Sequence, residues 1–221
     1  MIRTEQVDAY LASVRPGSDS LLADMESYAA EHHVPIADAE TAALVAMLAR
    51  ATGARAVLEV GLAIGYTALQ IARGLAEGGR VTSLESDAQM IAAARAFLGR
   101  DPAGARVEIV EGDAAATMAA LSGPFDLIYV DADKLGYPRY VELALERLVP
   151  GGIVLIDNLL MDGTVASARG DGHWSQASVD TARELNARLT ADAGLSFVLL
   201  PVGDGVGMLQ RKRHWIYVFG G

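Results

Sequence analysis

Residues 56–72 read AVLEVGLAIGYTALQIA, a short apolar run, a turn holding Gly61 and Gly65, and a helical stretch opening near Tyr66 and Thr67. A strand that passes through glycines into a helix brings backbone N–H groups close to whatever lies over the turn. The spacing is GxxxG rather than GxGxxG. The glycine that lets a backbone approach a pyrophosphate is absent, which favours a ligand without one. A tight strand-to-helix turn with no ligand is the other reading of this segment taken alone.

Outward from that turn, runs rich in Val, Ile and Leu alternate with alanine-rich helical stretches. The runs at 56–61, 80–85, 106–112, 125–132, 151–158, 196–202 and 206–212 predict seven strands, with helices near 66–77, 87–99, 114–121 and 137–148. That alternation predicts an α/β fold, a mostly parallel sheet with helices on both faces. Only Gly203-Asp204-Gly205 separates the last two runs. A parallel crossover needs a dozen or more residues, so these strands should form an antiparallel hairpin. Residues 1–50 predict two or three amphipathic helices serving as a lid or packing layer. The stretch 162–175 predicts a flexible loop after the fifth strand, where ligand-contacting loops of open α/β sheets lie. The 221 residues fit a single domain made of the helical segment 1–50, a core at 54–212 and an aromatic tail at 213–221 that ends HWIYVFGG.

The chain carries 28 acidic against 18 basic side chains, a formal charge of -10, and no cysteine. Disulfides, thiolate metal sites and a cysteine nucleophile are excluded, so any metal must sit on oxygen or imidazole. The acid excess weighs against broad nucleic-acid binding, which needs a positive footprint. No run is apolar for long enough to span a membrane, and the first residues lack a secretory apolar core, so a cytoplasmic protein is expected. The four histidines show no ligand spacing, and neither a GxSxG elbow nor a P-loop is present.

Acidic residues mark the strand ends. Glu85 closes the second strand roughly 20 residues beyond the glycine turn, where a carboxylate can accept from ribose hydroxyls. Asp113, after the third strand, is placed to meet an adenine amino group or simply to cap the next helix. A sharper constellation is YVDADK at 129–134 with LIDN at 155–158. If the two strands neighbour each other, Asp131, Asp157 and Asn158 bring three hard oxygen donors to one point, which suits a magnesium-type ion with positions left for a chelating substrate. Capping of turns is the alternative. Lys134 follows three residues after Asp131 in a chain with 16 arginines and two lysines. Lysine can give up its proton at working pH where arginine cannot, so Lys134 reads as a general base, with an ordinary surface lysine as the alternative. Asp126 and Asp133 read as structural.

Together these residues resemble the metal-dependent, S-adenosylmethionine-dependent O-methyltransferases, the group of catechol and caffeoyl-coenzyme A O-methyltransferases. The resemblance covers about residues 35–212 and rests on VLEVGxxxGYTA, DLIYVDADKxxYxxY, IDN and LPVGDG. It implies a Rossmann-like class I methyltransferase fold and a homodimer. Carried over by position, it implies Asp131, Asp157 and Asn158 as ligands of Mg2+, or of Mn2+ or Ca2+, with Lys134 as catalytic base. For S-adenosylmethionine it implies Glu59, Gly61, Gly65 and Thr67 around the amino-acid end, Glu85 on the ribose, Asp113 and Ala114 at the adenine, and Asp131 beside the cofactor. Tyr137 and Tyr140 match family positions where packing is the safer assignment. The implied substrate is a small hydroxylated aromatic molecule of the catechol type. A tRNA carrying a hydroxylated wobble uridine is the alternative substrate, and a non-catalytic S-adenosylmethionine-binding protein is the non-enzymatic one.

Overall fold

The computed structural model describes residues 4–15 and 19–212, so the aromatic tail lies outside the described residues. Seven strands form one sheet in the order β3-β2-β1-β4-β5-β7-β6. They are β1 (Ala56–Val60), β2 (Arg80–Glu85), β3 (Val107–Glu111), β4 (Phe125–Val130), β5 (Leu148–Ile156), β6 (Leu195–Leu200) and β7 (Val206–Arg211). Strands β1 to β5 are parallel, and β7 runs antiparallel to both β5 and β6. The hairpin expected from the three-residue connection is present.

Apolar residues cover both faces of the central strands because helices pack on both. Leu58, Val60, Ile128, Val130, Val154 and Ile156 point to one core, closed by α6 (Ala114–Ala120), α7 (Tyr137–Arg147) and α9 (Gln176–Ala191). Their alternates Val57, Leu127, Tyr129 and Leu155 point to the other, against α3 (Ala39–Ala51) and α4 (Tyr66–Gly74). Leu21, Met25 and Ala29 of α2 (Ser20–His32) extend that second layer over Ile64, Tyr66 and Leu69, together with Ala94 and Leu98 of α5 (Ala88–Leu98). The packing layer read from residues 1–50 is therefore seen for α2 and α3. Helix α1 (Glu5–Val14) instead leaves Val7, Tyr10 and Val14 exposed.

Two stretches differ from the sequence reading. Helix α9 had no counterpart in the predicted helices, although Val179, Ala182, Leu185 and Leu189 give it a buried stripe at helical spacing. The supposedly flexible 162–175 is partly helical, with a one-turn 3-10 helix at Met161–Gly163 and α8 (Thr164–Ser167). Positive φ at Asp162, Gly163 and Ala168 divides it into pieces too short to carry a helical period.

Register decides what the sheet presents at its carboxyl edge. Val60 is level with both Leu84 and Val130, and Val130 is level with Ile156. The next residues in the chain, Gly61, Glu85, Asp131 and Asp157, therefore stand in one row. The row straddles the point where strand order reverses between β1 and β4, the crevice in which open α/β sheets hold ligands.

Candidate active site

At the β1 end, Gly61 has φ +98°, and a Cβ there would lie 1.9 Å from the Asp131 carbonyl oxygen. Only glycine lets the chain pass so close to β4 while turning. Gly65, also at positive φ, caps α4 without a side chain, so the helix N-terminus is open to a ligand. Glu85 holds the turn from the neighbouring strand. Its Oε2 accepts the Ala63 N–H at 2.9 Å, and its Oε1 accepts those of Ser86 at 2.8 Å and Asp87 at 3.0 Å. A carboxylate oxygen has two lone-pair sites, so Glu85 retains acceptor capacity toward the cavity it lines. Asp113 does cap α6, with Oδ1 accepting the Ala116 N–H at 2.8 Å, and it also lines the cavity beside Ala114.

At the β4 and β5 ends four side chains meet. Lys134 Nζ donates to Asp131 Oδ1 at 3.0 Å, to Asn158 Oδ1 at 2.7 Å and to the Tyr137 hydroxyl at 2.6 Å. One nitrogen thus touches oxygens from both strand ends, which shows how closely those donors converge. Asp157 lies just behind, 2% exposed, its Oδ1 accepting the Asn158 N–H at 2.8 Å and its Oδ2 the Tyr129 hydroxyl at 2.7 Å. Asn158 sits at φ 56°, a left-handed conformation that asparagine tolerates better than most residues. Burial, then the neighbouring Asp131, push the Asp157 carboxyl above its ordinary range. Two carboxylates facing a single ammonium leave excess negative charge in a poorly solvated place. Two carboxylates and an amide oxygen are hard donors that suit a divalent ion of the magnesium type, and the charge imbalance fits one. The oxygens of Asp131 and Asn158 cannot fully serve an ammonium and a divalent ion at once. Among the described residues no group of three His, Cys, Asp or Glu side chains forms a metal site, so the set reaches three donors only through the Asn158 amide.

A cavity of about 1100 Å³ joins the two ends and is lined by Gly61, Thr67, Glu85, Asp113, Ala114, Asp131, Lys134 and Asn158 among others. This is enough for a nucleoside-sized ligand and a second small molecule side by side. Gly65 lies behind the wall as the cap of α4. Glu59 is 1% exposed, does not line the cavity, and lies beneath the turn. Its Oε2 accepts the Ser83 hydroxyl at 2.6 Å, and burial pushes its carboxyl up to about 8. Asp126 and Asp133 have the structural partners expected of them. Asp126 Oδ2 accepts the N–H groups of Arg55 and Ala56, and Asp133 Oδ1 accepts the N–H of Gly136 and the hydroxyl of Tyr140.

Tyr129 and Tyr137 read from the sequence only as strand and packing residues, whereas segments 1–50 and 162–175 are expected to cover or contact a ligand. Tyr137 is more than packing, since its fully buried hydroxyl holds Lys134. Tyr129 reads as one more apolar strand residue, yet its position two before Asp131 puts both on one face of β4. The segment 33–38 between α2 and α3 forms one wall, with Trp174 and His173 opposite the sheet edge. The Trp174 ring lies 5.8 Å from Lys134 Nζ, and its Nε1 donates to Asp162 Oδ2 at 3.3 Å. Asp204, from the hairpin turn, accepts the Asp162 N–H, and burial lifts its carboxyl to about 6.

Comparison with known proteins bears on the same residues. The family profile described as O-methyltransferase matches residues 13–212. The O-methyltransferase ankF of Aspergillus thermomutatus is 39% identical over 78% of this chain and 77% of its own length. A catechol O-methyltransferase of Mycobacterium tuberculosis is 36% identical over 75% of this chain and 76% of its own. Among solved structures, the O-methyltransferase from Bacillus cereus in complex with SAH superposes with a TM-score of 0.82 at 30% identity, covering 96% of this chain and all of that one. The SAH-bound methyltransferase PaMTH1 of Podospora anserina gives 0.84 at 29%, covering 95% of each. With the profile spanning most of the sequence and the fold shared along its length, this chain belongs to the O-methyltransferase family, the S-adenosylmethionine-dependent enzymes of the catechol and caffeoyl-coenzyme A type.

Proposed function

We propose that this enzyme is divalent-metal-dependent and transfers its methyl group to a hydroxyl of a catechol-like small molecule. The observation that carries the proposal is the meeting of Asp131, Asn158 and Lys134 at one end of a cavity, with Asp157 buried directly behind them and outside its lining, while the other end offers the glycine turn, Glu85 and Asp113. Asp131, Asp157 and Asn158 would hold the ion, which when bound lowers the pKa of a chelated hydroxyl. S-adenosylmethionine supplies the electrophilic methyl.

The chain's own groups do the rest. Gly61, Gly65 and Thr67 shape the place of the amino-acid end, with Glu59 supporting the turn from below. Glu85 accepts from the ribose, and Asp113 with Ala114 flanks the adenine. In its neutral amine form Lys134, held by Tyr137 at 2.6 Å, would accept the proton of the hydroxyl being methylated. Alignment of nucleophile and methyl at about 3–3.5 Å would be worth about 7–11 kcal/mol, as in well-oriented systems. No arginine occurs among the described lining residues and Lys134 is the sole lysine there, which supports a small substrate over tRNA. The dimer implied by the resemblance belongs to the same reading, and light scattering measures it.

Methyl transfer from labelled S-adenosylmethionine to a panel of catechols, with and without EDTA, tests the proposal. Activity should vanish with EDTA and return with Mg2+, and Lys134→Ala should lose about 10²–10⁴-fold in kcat. Full activity after metal removal, or a Lys134→Ala rate near wild type, sinks the metal-and-base scheme.

A further inference from the structure

We propose that Tyr129 is the positioning residue for Asp157, the buried carboxylate of the metal-type donor set, its hydroxyl setting how tightly a divalent ion is held. The inference rests on the metal-dependent reading above. Tyr129 lies in the middle of the sheet, fully buried, its ring packed in the core shared by Val57, Leu127 and Leu155. Its hydroxyl oxygen is 2.7 Å from Asp157 Oδ2 and 3.5 Å from Asp131 Oδ2, so one polar atom stands between candidate ligands from two strands. The hydroxyl has one proton, and the shorter distance assigns it to Asp157. The other Asp157 oxygen accepts the Asn158 N–H at 2.8 Å. Both oxygens are thereby held, and the plane of the carboxylate is fixed from inside the protein.

Packing does not ask for this hydroxyl. A phenylalanine would fill the same volume, and the polar neighbour across β1, Glu59, takes its side-chain hydrogen bond from Ser83. Among the described residues the hydroxyl's proton goes to Asp157, and the Asp131 carboxylate, 3.5 Å away, is the other oxygen near it. A group of this kind, behind a ligand rather than touching the ion, spares the site from ordering the ligand at the moment of binding. Loss of such a partner typically weakens metal affinity by about 10–100-fold.

The test titrates Mn2+ and, separately, SAH into metal-free wild type and Tyr129→Phe by calorimetry. The expected result is Mn2+ affinity weaker by about 10–100-fold in the variant, with SAH affinity within about twofold. Equal Mn2+ affinity overturns the positioning role, and so does an equal loss toward both ligands, which marks a general slackening of the fold. A wild type that binds no Mn2+ overturns the metal-dependent reading instead. Should Tyr129→Phe fail to fold, 3-fluorotyrosine placed at position 129 of the otherwise unchanged chain keeps the question open to measurement. Its 19F resonance should move on addition of Mg2+, and a resonance that ignores Mg2+ overturns the proposal.

Discussion

At the scale of single residues, Glu59 is the most unusual group outside the reacting cluster. It occupies a central strand, faces Ser83 and Tyr129 across the sheet, and is buried together with them. Its carboxyl is pushed from an ordinary 4.5 up to about 8, chiefly by burial. The consequence for stability has a definite sign. Between those two values the folded chain keeps the proton while the unfolded chain releases it. Stability from this group is thus complete below about 4.5 and is lost as pH rises toward 8, at about 1.4 kcal/mol per pH unit if one proton is involved. Glu59→Gln keeps an oxygen for Ser83 and removes the titration. Urea midpoints taken at pH 5, 6, 7 and 8 should decline in the wild type and lie flatter in the variant, and parallel curves would show that Glu59 titrates normally.

At the scale of elements, the β1–α4 turn and the loop after β4 are one unit. The Asp131 amide donates to the Val60 carbonyl at 2.8 Å, and a Cβ at Gly61 would not fit between the two segments. Gly61→Ala puts a methyl group where the Asp131 carbonyl stands and asks a non-glycine residue to hold φ +98°. Either β4 moves, carrying Asp131 with it, or the turn does. We expect a loss of about 2–4 kcal/mol in stability, from overpacking together with backbone strain, and at least a tenfold drop in SAH affinity. Thermal melts and calorimetry read both, and a variant with wild-type affinity would show that the turn does not govern the cavity. Helix caps bear on the same region. Asp87 and Asp113 start α5 and α6 at the cavity rim, each accepting a backbone N–H of the first turn, so these carboxylates serve fold and cavity together.

At the scale of the whole molecule, the net charge of -10 is not spread evenly with respect to function. The cavity collects Asp38, Glu85, Asp87, Asp113, Asp131, Asp133, Asp162 and Asp204 against Lys134. Such a surface attracts a cationic cofactor and repels anionic acceptors, more so at low salt. Among catechols of similar size, neutral or amine-bearing ones should therefore surpass carboxylate-bearing ones in kcat/KM by roughly tenfold, about 1.4 kcal/mol. Coenzyme A thioesters, with their phosphates, should do worse still. The gap should narrow as NaCl rises from 20 to 500 mM, roughly tracking the fall in Debye length. An unchanged gap would place selectivity in shape rather than charge. No helix among the described residues is long and apolar enough to cross a membrane.

The sequence by itself determined the seven strands, the terminal hairpin and the residues at the strand ends. These signals are local, since alternation, glycine spacing and connection length are properties of neighbouring residues. Asp131, Lys134, Asp157 and Asn158 were legible because their two motifs sit on consecutive strands. The row formed by Gly61, Glu85, Asp131 and Asp157 became definite only with the register of four strands, and register is a matter of tertiary pairing. Tyr129 looked like one more core residue until β5 placed Asp157 within reach of its hydroxyl. Glu59, expected at the amino-acid end of the cofactor, is buried on the face of the sheet that α3 and α4 cover and is not part of the cavity wall. Residues 33–38 and Trp174 joined the same cavity from segments far apart in the chain. Local pattern fixes which way a side chain points from its own element, but what it meets there depends on which elements pack opposite.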